Sequence, residues 1–163
     1  MNRLLAFILL FLLLSCHLRQ DRKKLSGIMK LPTFRIMSMD SCKCISTENF
    51  PSGKPYIFIY FDPDCEHCQH ETKSILSHID QLRNANLYWV TNGDPVDLKK
   101  FCQYFRIDTL ENAMIGNDYE YGFYRAFLPP STPYIAIYNG RKGLVKLYKG
   151  EPDVNAIIAS TRD

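Results

Sequence analysis

The sequence lacks any apolar run long enough to cross a bilayer. Its longest, Leu4 to Leu14, would rise about 16 Å as a helix, roughly half the hydrocarbon thickness. It also lacks a dominant charge, since 20 Lys and Arg face 17 Asp and Glu for a formal +3. No basic stripe interleaved with aromatics is present, which argues against a nucleic-acid partner. There is no internal repeat, and Trp89 is the only tryptophan in 163 residues. What is present points to a folded unit. Hydrophobic residues make up 46% and charged residues 23%, too balanced for a disordered chain, and the length suits one domain with an added segment. Six cysteines fit either a disulfide framework or thiol chemistry, and composition does not choose between them.

The apolar run follows Met1-Asn2-Arg3 and reads as the hydrophobic region of a secretory signal. It ends Leu13-Leu14-Ser15-Cys16, which resembles the bacterial lipobox. That resemblance implies a signal over residues 1–15 and a lipid on Cys16. It also implies a membrane-anchored protein of the cell envelope, facing the periplasm or the outer surface. The alternative is an ordinary cleaved signal that contains a cysteine. Residues 16–27 then form a tether, polar and basic through HLRQDRKK, ahead of a domain at 28–163.

Along that domain, Ile28–Met37 reads as an edge strand or hairpin interrupted by Pro32, and Ser38–Lys54 as loop. Tyr56–Phe61 (YIFIYF) is apolar throughout, as a strand buried on both faces should be. A helix is predicted over Cys65–Arg83, where Ile75, Leu76, Ile79 and Leu82 form one apolar face. Leu87–Thr91 is a second strand, and Val96–Phe105 a second helix with Asp94 as N-cap and Pro95 at its first position. A strand near Ala113–Ile115 and an aromatic stretch over 119–127 lead to the breaker Pro129-Pro130-Ser131-Thr132-Pro133. Tyr134–Tyr138 and Leu144–Tyr148 form a hairpin, and a helix at 152–160 closes the chain. Parallel crossovers followed by an antiparallel hairpin predict an α/β fold with a central mixed sheet flanked by helices.

The motif that carries chemistry is Cys65-Glu66-His67-Cys68, placed where a buried strand gives way to a helix. A helix N-terminus offers unpaired N–H groups and a positive dipole end, both of which favour a thiolate. Cys65, in the first turn, is the candidate nucleophile. Cys68 lies nearly one turn on and deeper, positioned to attack a mixed disulfide at Cys65 and release the product. Between them, protonated His67 favours the Cys65 thiolate, whereas Glu66 and the preceding Asp64 oppose it.

This arrangement resembles the thioredoxin superfamily, and within it the membrane-tethered thiol-disulfide oxidoreductases of the TlpA/ResA type, over roughly residues 40–160. The resemblance implies a thioredoxin-like fold with an inserted segment before the strand that follows Pro133. It implies a cis bond at Thr132-Pro133, opposite the redox pair, with the Thr132 backbone pairing to bound substrate. It further implies protein thiols or disulfides as substrates, an upstream membrane electron donor or acceptor, and no cofactor. The chain departs from the pattern in one place. The tryptophan usual before the first active-site cysteine is replaced by Asp64. Asp40, Glu48 and Asp62 are either candidates for a buried acid assisting Cys68 or ordinary loop and strand-end charges.

Other readings are weaker. A zinc site would need a second sulfur pair, and Cys42-x-Cys44 is too closely spaced for one. Copper delivery of the Sco type uses three residues between its cysteines and a distant histidine, whereas every histidine beyond the tether falls within residues 67–78. The peroxiredoxin pattern PxxxTxxC fails from either cysteine. Counting back from Cys65 it meets Phe58 and Asp62, and from Cys68 it meets Phe61 and Cys65. The main rival is a binding module that uses the fold without turnover. Cys42 and Cys44 are a second redox pair, a strained local disulfide, loop thiols or one partner of another bridge; Cys102 is a core thiol, and His70 and His78 are solvated or capping residues. With Cys16 taken by lipid an odd number of cysteines remains, so a complete disulfide framework within one chain is ruled out.

Overall fold

A computed structural model describes residues 27–39 and 43–162. The signal segment, Cys16, the tether up to residue 26, Asp40 and Cys42 lie outside the described residues. Among the described residues no helix is long and apolar enough to cross a membrane. The elements, in chain order, are β1 (Arg35–Ser38), β2 (Cys44–Ser46), β3 (Tyr56–Tyr60), α1 (Glu66–Ser77), β4 (Asn86–Thr91), α2 (Pro95–Phe105), β5 (Ala113–Asn117), α3 (Gly122–Phe127), β6 (Tyr134–Tyr138), β7 (Leu144–Lys149) and α4 (Val154–Ser160).

These strands form one mixed sheet in the order β2-β1-β5-β4-β3-β6-β7. β3, β4 and β5 run parallel, and every other pairing is antiparallel. All five residues of β3 are buried, as its unbroken apolar sequence requires of a strand covered on both faces. Alternation then sorts the side chains into two cores. Ile57, Ile59, Leu87 and Trp89 pack under α1, α2 and α4. Tyr56, Phe58, Tyr60 and Tyr138 pack on the opposite face with Phe34, Phe50, Phe123 and Phe127.

The register of β3 against β6 is what assembles the site. Tyr60 pairs with Tyr134 in an antiparallel ladder, so the end of β3 and the start of β6 meet at one edge. The Cys65–Cys68 segment leaves from the first and the Thr132–Pro133 segment enters the second.

The differences from the sequence reading have local causes. The predicted helix over 65–83 ends at Ser77. His78 breaks it with φ −118° and ψ 18°, and a 3-10 turn covers Ile79–Leu82. The segment read as loop, Ser38–Lys54, contains β2 and a 3-10 turn at Thr47–Asn49. β2 is three residues long, too short for alternation to reveal, and exists because β1 offers it a partner. β1 is accordingly not an edge strand, since it lies between β2 and β5. The aromatic stretch divides: Phe123 and Phe127 of α3 fill the second core, while Tyr119, Tyr121 and Tyr124 stay exposed.

Trp89 fixes α1 to the sheet. It is fully buried, and its indole N–H donates to Thr72 Oγ1 at 3.0 Å. Thr72→Val keeps the shape but removes the acceptor, leaving a buried donor unpaired at an expected cost of about 1–3 kcal/mol. Urea unfolding followed by Trp89 fluorescence checks this. A loss below about 0.5 kcal/mol, within the range of an inert surface change, would show that the bond contributes nothing.

Candidate active site

Cys65 is the N-cap of α1, with φ −78° and ψ 117°, and its Sγ accepts from the Cys68 N–H at 3.4 Å. That contact aims a helix-terminal donor at the sulfur, as stabilising a thiolate requires. The approach is set by a turn after β3. The Cys65 N–H donates to the Asp62 carbonyl at 3.2 Å, and Asp62 Oδ1 accepts from the Asp64 N–H at 3.0 Å. Gln69 Nε2 reaches back to the Pro63 carbonyl at 3.0 Å and holds the turn against the helix.

Cys65 is half-buried, and its Sγ lies 3.9 Å from the Thr132 carbonyl oxygen. The Thr132–Pro133 bond is cis, as the resemblance implies. The sequence elements nominated for nucleophile and substrate contact are therefore adjacent in space.

Cys68 is different in kind. It is fully buried, and burial, reinforced by its hydrogen bond to Cys65, pushes its thiol up to about 12. Hydrogen bonding with the Asp62 backbone and with Thr132 offsets this only in part. A thiol this reluctant to ionise needs a proton acceptor nearby.

Of the three candidate acids, neither of the two that are described is buried. Glu48 is exposed on a 3-10 turn, Asp62 is exposed and braces the turn before Cys65, and Asp40 lies outside the described residues. The buried acid is Glu71, which is 1% exposed and stands three residues after Cys68 on the inward face of α1. Burial, and then the charge of Glu151, push its carboxyl up to about 7, and its Oε1 has no hydrogen-bond partner among the described residues. The signal was in the sequence. Glu71 is four residues before Ile75, at a position where the apolar face continues, and a carboxylate there must turn inward.

Glu66 is exposed in the first turn of α1. His67 is also exposed, and its Nδ1 pairs with Glu151 in the loop after β7. His70 approaches the same carboxylate at 3.6 Å. His78 sits at the C-cap of α1, with Nδ1 3.0 Å from the Ser74 carbonyl oxygen.

The remaining cysteines stand apart. Cys102 is fully buried in the core under α2, and Cys44 is exposed with its Sγ 3.9 Å from the Tyr119 hydroxyl. Cys44, Cys65, Cys68 and Cys102 are free thiols. Among the described residues no group of three or more His, Cys, Asp or Glu side chains is arranged to hold a metal ion.

No protein-family model matches the chain, and no curated protein matches it by sequence. Solved structures do match. One is a secreted Mycobacterium tuberculosis disulfide oxidoreductase homologous to E. coli DsbE, at TM-score 0.66 and 13% identity, covering 79% of this chain and 94% of that one. Another is a thioredoxin-like protein from Aeropyrum pernix, at TM-score 0.66 and 12% identity, covering 91% and 94%. A third is a peroxiredoxin-like protein from Aquifex aeolicus, at TM-score 0.65 and 13% identity, covering 82% and 84%. The chain has a thioredoxin-like fold. At these identities the fold is what the likeness establishes, and the chemistry rests on the residues.

Proposed function

We propose that the chain is a thiol-disulfide oxidoreductase that exchanges disulfides with protein substrates through Cys65 and Cys68. The observation that carries this reading is the asymmetry of the two thiols. Cys65 is accessible at a helix N-terminus, beside the carbonyl of Thr132, whereas Cys68 is buried beside it and held protonated. Exchange needs one sulfur that meets substrate and one that waits. The likeness to a disulfide oxidoreductase supports the reading. The likeness to a peroxiredoxin-like protein does not transfer, because the Pro and Thr that would hold peroxide are absent from their positions here.

In the reductive direction the Cys65 thiolate attacks a substrate disulfide, one substrate sulfur leaves, and a Cys65–substrate disulfide forms. The backbone at Thr132 aligns the substrate strand. Cys68 then transfers its proton to the Glu71 carboxylate and attacks Cys65 Sγ, and the second substrate thiol is released. The products are a Cys65–Cys68 disulfide, a protonated Glu71 and two substrate thiolates, which take up protons from solvent. Glu71 suits this step because its carboxyl, at about 7, ionises within the working range while remaining out of bulk water.

The finer reading is of the TlpA/ResA type. A lipid on Cys16 holds the domain to the envelope membrane on the periplasmic or outer side, and a membrane partner returns the pair to its reduced state. Its support is the lipobox-like Leu13-Leu14-Ser15-Cys16 and the basic tether after it.

Insulin reduction driven by dithiothreitol tests the core of this proposal. The wild-type chain should precipitate the insulin B chain, and Cys65→Ser should be no better than buffer. An inactive wild type, or an equally active Cys65→Ser, would remove the enzyme reading and leave the binding module.

A further inference from the structure

Two histidines of the motif helix converge on one carboxylate from a distant part of the chain. Glu151 stands between β7 and α4. His67 Nδ1 pairs with its Oε1, and His70 Nδ1 lies 3.6 Å from its Oε2. The two imidazoles are three residues apart, on the same side of α1, so one acceptor serves both. Glu151 and Glu71 line the same open surface depression, with His70, Lys73, Ser74 and Asp153. Of its charged residues, α1 contributes His70 and Lys73, and the loop contributes Glu151 and Asp153. Asp153 is committed to capping α4, accepting from the Asn155 N–H at 2.8 Å. Lys73 is exposed. Glu151 is the carboxylate whose charge reaches the buried acid.

We propose that Glu151 is a positioning residue of the dithiol site, anchored through His67 and His70 and gating proton transfer at Glu71. The inference rests on the exchange reading above and deepens it. During resolution Glu71 receives one proton from Cys68, and it must lose that proton before the next turnover. A negative charge nearby makes ionised Glu71 less favourable, so Glu151 adds to what burial already does to the pH at which the acceptor is ready. The two histidine contacts hold that carboxylate at the motif helix.

The test measures two independent quantities on the full chain. One is the titration of the Glu71 carboxyl carbon by NMR, and the other is the pH profile of disulfide exchange. In Glu151→Gln the Glu71 midpoint should fall by about half a pH unit or more, which is about a threefold gain in ionised acceptor on the acid limb. The acid limb of the exchange profile should move the same way. Glu151→Asp, which keeps the charge, should restore most of the shift. An unshifted Glu71 midpoint in Glu151→Gln, or a Glu151→Asp chain that fails to restore it, overturns the assignment. An inactive wild type would overturn the exchange reading instead, so the two failures are distinguishable.

Discussion

Cys68→Ala should convert the chain from an exchanger into a trap. With the resolving sulfur gone, a Cys65–substrate disulfide has no internal route to release. Its alternative is an external thiol, and effective molarities for well-oriented intramolecular attack reach about 10⁵ M or more. A millimolar reductant is a poor substitute, so insulin turnover should fall by at least about a thousandfold. Covalent complexes should accumulate in envelope extracts, run as larger species without reductant, and collapse to the free chain with it. The burial of Cys68 makes the result specific, because a fully buried sulfur is not replaced by a neighbour without moving α1. The Cys44 thiol, exposed beside the Tyr119 hydroxyl, offers no such substitute at Cys65. Absence of any trapped species, in a variant that folds, would mean that Cys65 is not the residue that meets substrate.

Glu71→Gln should have opposite effects on chemistry and on stability. A glutamine cannot take the Cys68 proton, and loss of a positioned base commonly costs about 10²–10⁴-fold, so the resolving step near pH 7 should slow by at least about a hundredfold. Stability moves the other way. The Glu71 carboxyl rises from an ordinary 4.5 to about 7 on folding, so the folded state prefers it neutral. No penalty exists below about pH 4.5, it grows as pH rises towards 7, and it is complete above that. The span corresponds to about 3 kcal/mol. Urea unfolding at pH 5 and at pH 8 should therefore show wild type losing stability relative to Glu71→Gln at the higher pH. Parallel pH dependence in the two chains would show that Glu71 does not titrate on folding. A variant that is more stable at pH 8 and yet slower would mark Glu71 as a group kept for its chemistry.

The ease of reading the sequence followed the range of the interactions involved. β3 was visible because five consecutive apolar residues have no role except burial on both faces. α2 was visible because Asp94 and Pro95 mark its start in adjacent positions, and Asp94 Oδ1 does accept from the Val96 N–H at 2.7 Å. β2 was invisible because three residues carry no periodicity and its partner is set by the chain's return. The end of α1 was misplaced for a related reason. The apolar repeat continues through Ile79 and Leu82, which are satisfied equally by a 3-10 turn packed on the same core.

The site divides in the same way. The sequence by itself determined the dithiol, its seat at a helix start, and the Thr132–Pro133 segment, because each is a local pattern with a local physical meaning. It did not determine which acid is taken out of water. Glu48 and Asp62 are exposed, whereas the structure buries Glu71, one turn beyond Cys68 on α1. Nor did it connect Glu151 to His67 and His70, which are more than eighty residues away in the chain. Those pairings depend on β6 folding back beside β3 with β7 on its outer side, which brings the loop before α4 to the first turns of α1. Local sequence fixes which groups exist and how each helix presents them. Only the tertiary fold decides which are removed from water and which charges face them, because both depend on contacts between residues far apart in the chain.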